Sequence, residues 1–114
     1  MIKSISREEL EEAIADGKVT VVETLRPEHY ADGHLPGAIH LHFDDVEERA
    51  LELIPDLSTP IVTYCSNALC RNSDLAAVRL IKLGYVDVRR YTAGKQDWVE
   101  NGLPLARGAA VVAR

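Results

Sequence analysis

Pro60-Ile61-Val62-Thr63-Tyr64 is an almost wholly apolar run, and it stops at Cys65. Such a run suits a central strand, because both of its sides must meet an apolar layer. From Cys65 to Asn72 there is neither a helical nor a strand period. A helical pattern begins at Ser73. Leu75, Ala76, Val78, Leu80 and Ile81 supply its apolar faces, and Gly84 is its natural stop. Buried strand, loop and helix in that order are the building unit of a parallel sheet.

The rest of the chain repeats the alternation. Ser6 and Glu9 fit a capping box, with Ile5 and Leu10 as its hydrophobic staple, for a helix to Ala15 that ends at Asp16-Gly17. Val19 to Glu23 reads as a buried strand. A loop punctuated by Arg26-Pro27, Asp32-Gly33 and Pro36-Gly37 follows, then a short strand at Ala38 to Leu41. Asp44 or Asp45 caps a helix through Leu53, and Pro55 ends it. Val86 to Tyr91 is a further strand, and Ala93 to Val99 begins a last helix that Gly102 closes. Leu103 to Arg114 reads as extended, and Ala109-Ala110-Val111-Val112 either docks as a strand or frays. The pattern predicts a three-layer α/β/α domain with a mainly parallel sheet, where ligands sit beyond the carboxyl ends of the strands. The chain reads as a single domain over 1–114, with a core of about 5–105 and a tail over 106–114.

Composition excludes several classes. The 114 residues are room for one ordinary domain. Hydrophobic residues at 46% and charged residues at 27% are the balance of a soluble globular chain, not a disordered one. A net charge of -5 carries no nucleic-acid footprint. No apolar run is long enough to span a bilayer, and the N-terminus lacks a secretory pattern, so a cytoplasmic location is expected. His29, His34, His40 and His42 show no zinc-finger spacing and the two cysteines have no second pair, so no metal site is expected.

Cys65 and Cys70 lie in Tyr64-Cys65-Ser66-Asn67-Ala68-Leu69-Cys70-Arg71-Asn72-Ser73. A loop curling between a strand and a helix N-terminus can turn successive N–H groups inward as an anion nest, with the helix dipole behind it. A cysteine on the floor of that nest, beside Arg71, is expected to ionise easily, with a pKa lowered to about 7 or below. The bland reading makes Cys65 a small buried hydrophobe. Cys70 is placed either to resolve an oxidised or persulfidated Cys65 or to pack under the loop.

Three stretches carry a family resemblance. Val21 to Ile39 contains Glu23-Thr24-Leu25-Arg26, Tyr30 and Gly33-His34-Leu35-Pro36-Gly37-Ala38; Thr63-Tyr64-Cys65 enters the loop; Tyr91 to Trp98 is followed by Gly102-Leu103-Pro104. The set resembles a single-domain rhodanese-like sulfurtransferase, of the subgroup with a Cys-x4-Cys active-site loop. The resemblance implies a five-stranded mainly parallel sheet and a thiosulfate sulfurtransferase-like enzyme. Its nucleophile is Cys65, which takes a sulfane sulfur from a small anionic donor such as thiosulfate as a persulfide. The acceptor is cyanide, a thiol or a protein thiol. Backbone groups of Ser66, Asn67, Ala68, Leu69, Cys70, Arg71 and Asn72 form the substrate-binding loop, and no cofactor is required. Glu23 stands where the family usually has aspartate, and Leu25 where it has arginine. Whether Arg26 takes that place is open.

Two alternatives come from the same loop. Cys65 and Arg71 satisfy Cys-x5-Arg, the phosphate-binding signature of cysteine phosphatases and of some arsenate reductases. Tyr64 in place of their usual histidine, Asn72 in place of glycine and the lack of an acid in the loop count against it. The second alternative is a non-enzymatic persulfide- or redox-sensing module using Cys65 and Cys70. Elsewhere, His34 is expected to fix a turn. His40 and His42 are expected to share one face of a strand. Trp98 is expected in the core, the acidic cluster Asp44, Asp45, Glu47, Glu48 and Glu52 on a solvated helix face, and Arg89-Arg90 with Lys82 on a solvated edge.

Overall fold

The computed structural model describes residues 2–108. The helix opened by Ser6 is α1 (Arg7–Ala15), and the capping box forms as the sequence predicts. Glu9 N–H donates to Ser6 Oγ at 3.1 Å and Ser6 N–H to Glu9 Oε1 at 3.1 Å. Ahead of it runs β1 (Lys3–Ser4), a two-residue strand with no hydrophobic signal of its own, which starts before the expected core. The remaining strands are β2 (Thr20–Glu23), β3 (Ile39–His40), β4 (Ile61–Tyr64) and β5 (Val88–Tyr91). They form one five-stranded sheet, all parallel, in the order β1-β5-β4-β2-β3. The apolar run thus becomes the middle strand, buried at every position.

Alternation along the strands builds two cores, because successive side chains leave opposite faces of a sheet. Val22, Ile61 and Val88 pack with α3 (Val46–Leu53) and α4 (Asn72–Leu83), through Ala50, Ala76, Ala77 and Leu80. Val21, Val62 and Tyr91 face the other way, onto Leu10 of α1 and Trp98 of α5 (Gly94–Glu100). This is a three-layer α/β/α domain. Gly84 closes α4 at φ +112, the left-handed conformation that favours glycine.

Three local readings are corrected. The loop before Gly33 contains α2 (Pro27–Asp32), with Pro27 in its first turn, where a missing N–H leaves no gap in the helix. The strand at Ala38–Leu41 shortens to Ile39–His40, so His40 and His42 do not share a strand face. His40 is buried with Nε2 2.6 Å from Leu25 O, whereas the His42 ring accepts from Asp44 N–H at the start of a 3-10 turn over Phe43–Asp45. Arg89 and Arg90, expected with Lys82 on a solvated edge, are half-buried and pair with Asp87 and Asp74, while Lys82 is exposed.

His34 ties its turn as expected: Nδ1 lies 2.8 Å from Tyr30 O, and its backbone pairs with Ala106. Ala106 thus docks beyond the expected core. The strand reading of Ala109 to Val112 lies outside the described residues. Trp98 is buried and donates through Nε1 to Pro104 O at 3.0 Å. Among the described residues no helix is long and apolar enough to cross a membrane.

Candidate active site

β4 delivers Cys65 to the carboxyl end of the sheet, between β2 and β5. Thr24 fastens that end, donating its N–H at 3.1 Å and its hydroxyl at 3.0 Å to Tyr64 O. Thr63 Oγ1 donates to Ser73 O at 3.0 Å, tying β4 to the start of α4. Between these anchors Cys65 to Arg71 fold back on themselves. Cys70 N–H donates to Asn67 O at 3.1 Å, and Leu69 N–H to Asn67 Oδ1 at 2.9 Å. Two of the N–H groups expected to cradle an anion are therefore used within the loop.

A third segment straps the loop from outside. Lys95 N–H donates to Cys65 O at 2.9 Å and Gln96 N–H to Ser66 O at 2.8 Å. The approach is close enough to require glycine before them. A Cβ on Gly94 would lie 2.6 Å from Cys65 O and 2.9 Å from Asn67 N, and its φ is +73. Beneath the loop, Glu23 is wholly buried. Its Oε1 accepts from Tyr64 Oη at 2.7 Å and pairs with Lys95 Nζ at 3.0 Å, while Oε2 has no hydrogen-bond partner among the described residues. Burial and the Glu23 carboxylate hold the Tyr64 hydroxyl far above its ordinary pKa, so it stays a donor. The cation beside Glu23 is thus Lys95. Arg26 is exposed, and Leu25 is buried in the core. No sequence spacing links Glu23 to Lys95; the nearest signal is Lys95 following the Gly94 that the loop requires.

The loop residues divide. Ser66, Asn67 and Cys70 are half-buried, Ala68 and Leu69 are exposed, and Asn72 begins α4. Beside them opens a cavity of about 450 Å³ lined by Ser66, Asn67, Lys95, Gln96, Val99 and Glu100. Another of about 470 Å³ lies by Val19 and Pro60, at the opposite end of the sheet, and no cysteine lines it.

The expected easy ionisation of Cys65 is overturned. Cys65 is 1% exposed, and its thiol faces Cys70 O at 3.3 Å and Ser73 Oγ at 3.7 Å. Burial pushes it up to about 11, and the contact with Cys70 adds to that, against the Ser73 N–H and hydroxyl, which favour the thiolate. Arg71 does not reverse this. Its side chain is 83% exposed, and its ion-pair partner is Asp74 at 3.9 Å. Cys70 moves the other way. Burial raises it, but the Cys65 thiol, Asn72 N–H and the N–H and hydroxyl of Ser66 together favour its thiolate, and it lies below its ordinary value. Both cysteines are free thiols.

The chain is 36% identical over 108 residues to the HTH-type transcriptional regulator Rv0324 of Mycobacterium tuberculosis, covering 95% of this chain and 46% of the regulator. It spans about half the length of that regulator and of a further curated relative from Bacillus subtilis. It is 33% identical over 96 residues to the thiosulfate sulfurtransferase GlpE of Pseudomonas entomophila, covering 84% of each. Its fold is similar to that of the BH2092 protein of Bacillus halodurans, with TM-score 0.85, 22% identity, and coverage of 98% of this chain and 82% of that one. Residues 6–101 match the rhodanese-like domain. On that match, carried by a five-stranded parallel sheet with Cys65 at its carboxyl end, the chain belongs to the rhodanese-like domain family.

Proposed function

We propose that this chain is a sulfurtransferase that moves a sulfane sulfur through a Cys65 persulfide. The observation that carries the reading is the seat of Cys65, at the carboxyl end of the central strand and under a loop strapped by Lys95 and Gln96. The similarity to a thiosulfate sulfurtransferase across 84% of each chain supports it. The Cys65 thiolate attacks the outer sulfur of an anionic donor such as thiosulfate, a sulfur–sulfur bond forms, and sulfite leaves with the electron pair of the bond that breaks. An acceptor, cyanide or a thiol on a small molecule or protein, then attacks the outer sulfur and restores Cys65. Ser73 N–H and hydroxyl stabilise the thiolate at both stages.

The test is release of sulfite from thiosulfate by reduced protein. One equivalent per chain, lost in Cys65→Ser with the fold retained, is the expected result. Undiminished release by Cys65→Ser overturns Cys65 as nucleophile. No release from folded wild type, with hydrolysis of p-nitrophenyl phosphate instead, turns the reading to the phosphatase alternative. That alternative lacks its clamp, because the Arg71 side chain makes no hydrogen bond to the loop among the described residues.

A further inference from the structure

Sulfur transfer through a Cys65 persulfide uses Cys65 alone and leaves Cys70 without work; a role for Cys70 rests on that reading of the site. The turn closed between Cys70 N–H and Asn67 O reverses the loop and lays Cys70 against Cys65. The Cys65 sulfur lies 3.3 Å from the Cys70 carbonyl oxygen. Cys65 is at the buried floor, and Cys70 is half-buried on the rim. A disulfide needs Cα atoms within about 7 Å, which a reversed loop of this length allows.

We propose that Cys70 resolves the sulfur-loaded Cys65, so that the chain releases the transferred sulfur as hydrosulfide. The Cys70 thiolate attacks Cys65 Sγ. The bond from Sγ to the outer sulfur breaks, and the outer sulfur leaves as HS⁻ with that electron pair and the persulfide proton. A Cys65–Cys70 disulfide remains. The sulfane sulfur is reduced to sulfide, and the two cysteine sulfurs supply the two electrons. A dithiol reductant, as second substrate, then attacks the disulfide and returns both thiols. The attacking group needs its anion, and the surroundings supply one: Asn72 N–H and the Ser66 N–H and hydroxyl favour the Cys70 thiolate.

The experiment takes reduced protein freed of reductant and adds thiosulfate, with a blank lacking it. Intact mass, sulfite and sulfide are followed in wild type, Cys70→Ser and Cys70→Ala. Wild type is expected to lose two hydrogens, release one equivalent each of sulfite and sulfide, and yield a Cys65–Cys70 cross-linked peptide. Both variants are expected to release sulfite, hold a persistent gain of one sulfur atom and release no sulfide. A wild type that holds a stable extra sulfur and releases no sulfide overturns the resolving role and leaves sulfur transfer standing. Sulfide released by Cys70→Ala at the wild-type rate does the same. If none of the three releases sulfite or gains sulfur, both readings fall.

Discussion

Glu23 on β2 and Lys95 on α5 meet at 3.0 Å beneath the cysteine loop, joining two parts of the chain that lie far apart in sequence. Lys95 Nζ also donates to His29 O at 3.0 Å, and its backbone N–H holds Cys65 O. One residue therefore neutralises a buried carboxylate and straps the loop. Lys95→Met is expected to destabilise the fold by about 3 kcal/mol, because a buried charge loses its partner. Glu23→Gln added to Lys95→Met is expected to recover part of that loss. Urea unfolding of the two single variants and the double variant checks the coupling, and additive effects would sink it.

Gly94→Ala tests the strap. The added methyl meets Cys65 O and Asn67 N at distances real Cβ atoms do not show, and L side chains rarely adopt φ +73. The expected outcome is a loss of stability of about 1–3 kcal/mol and a fall in sulfite release larger than stability alone explains. Full activity in a folded variant would count against close strapping.

The two thiols are expected to alkylate in a fixed order. Cys70, half-buried and below its ordinary value, reacts with iodoacetamide at neutral pH. Cys65 reacts more slowly than Cys70 and speeds up as the pH rises, since burial favours its protonated form and leaves the thiolate a minor species. The same shift links to stability. A pKa raised on folding from 9.0 to about 11 contributes stability that is fully present below pH 9.0 and lost as pH rises through about 11. Peptide mass mapping across a pH series checks the order. Cys65 modified first at neutral pH would reverse it.

Arg71→Ala is expected to have little effect, in contrast to its place beside the loop in the sequence. An exposed ion pair is worth about 0–1 kcal/mol, so the thiosulfate concentration for half-maximal rate should shift less than about fivefold. A larger shift would mean that the guanidinium turns inward when a donor binds.

Trp98→Ala removes the indole that packs against Tyr91 and bonds Pro104 O. A loss of about 3–5 kcal/mol is expected by denaturant unfolding, the range for emptying a buried aromatic site. A loss under about 1 kcal/mol would place Trp98 outside the load of the core.

Features carried by neighbours in sequence were legible from the chain alone. The Ser6–Glu9 capping box, the central strand ending at Cys65, the Gly84 stop and the alternation of strands and helices all follow from periodicity and cap chemistry. The motif set also marked Cys65 and its loop as the candidate site. Short elements escaped. β1 is two exposed residues whose only reason to be a strand is the edge of β5, and α2 is too brief to show a period, so Pro27 at its start read as loop punctuation. Tertiary structure alone decided which cation faces Glu23, where Arg71 points and which cysteine carries the easier proton loss. Each depends on desolvation and on contacts between segments distant in sequence. A spacing of residues identifies a thiol, but only the packing around it determines how much water it keeps, and that sets its charge.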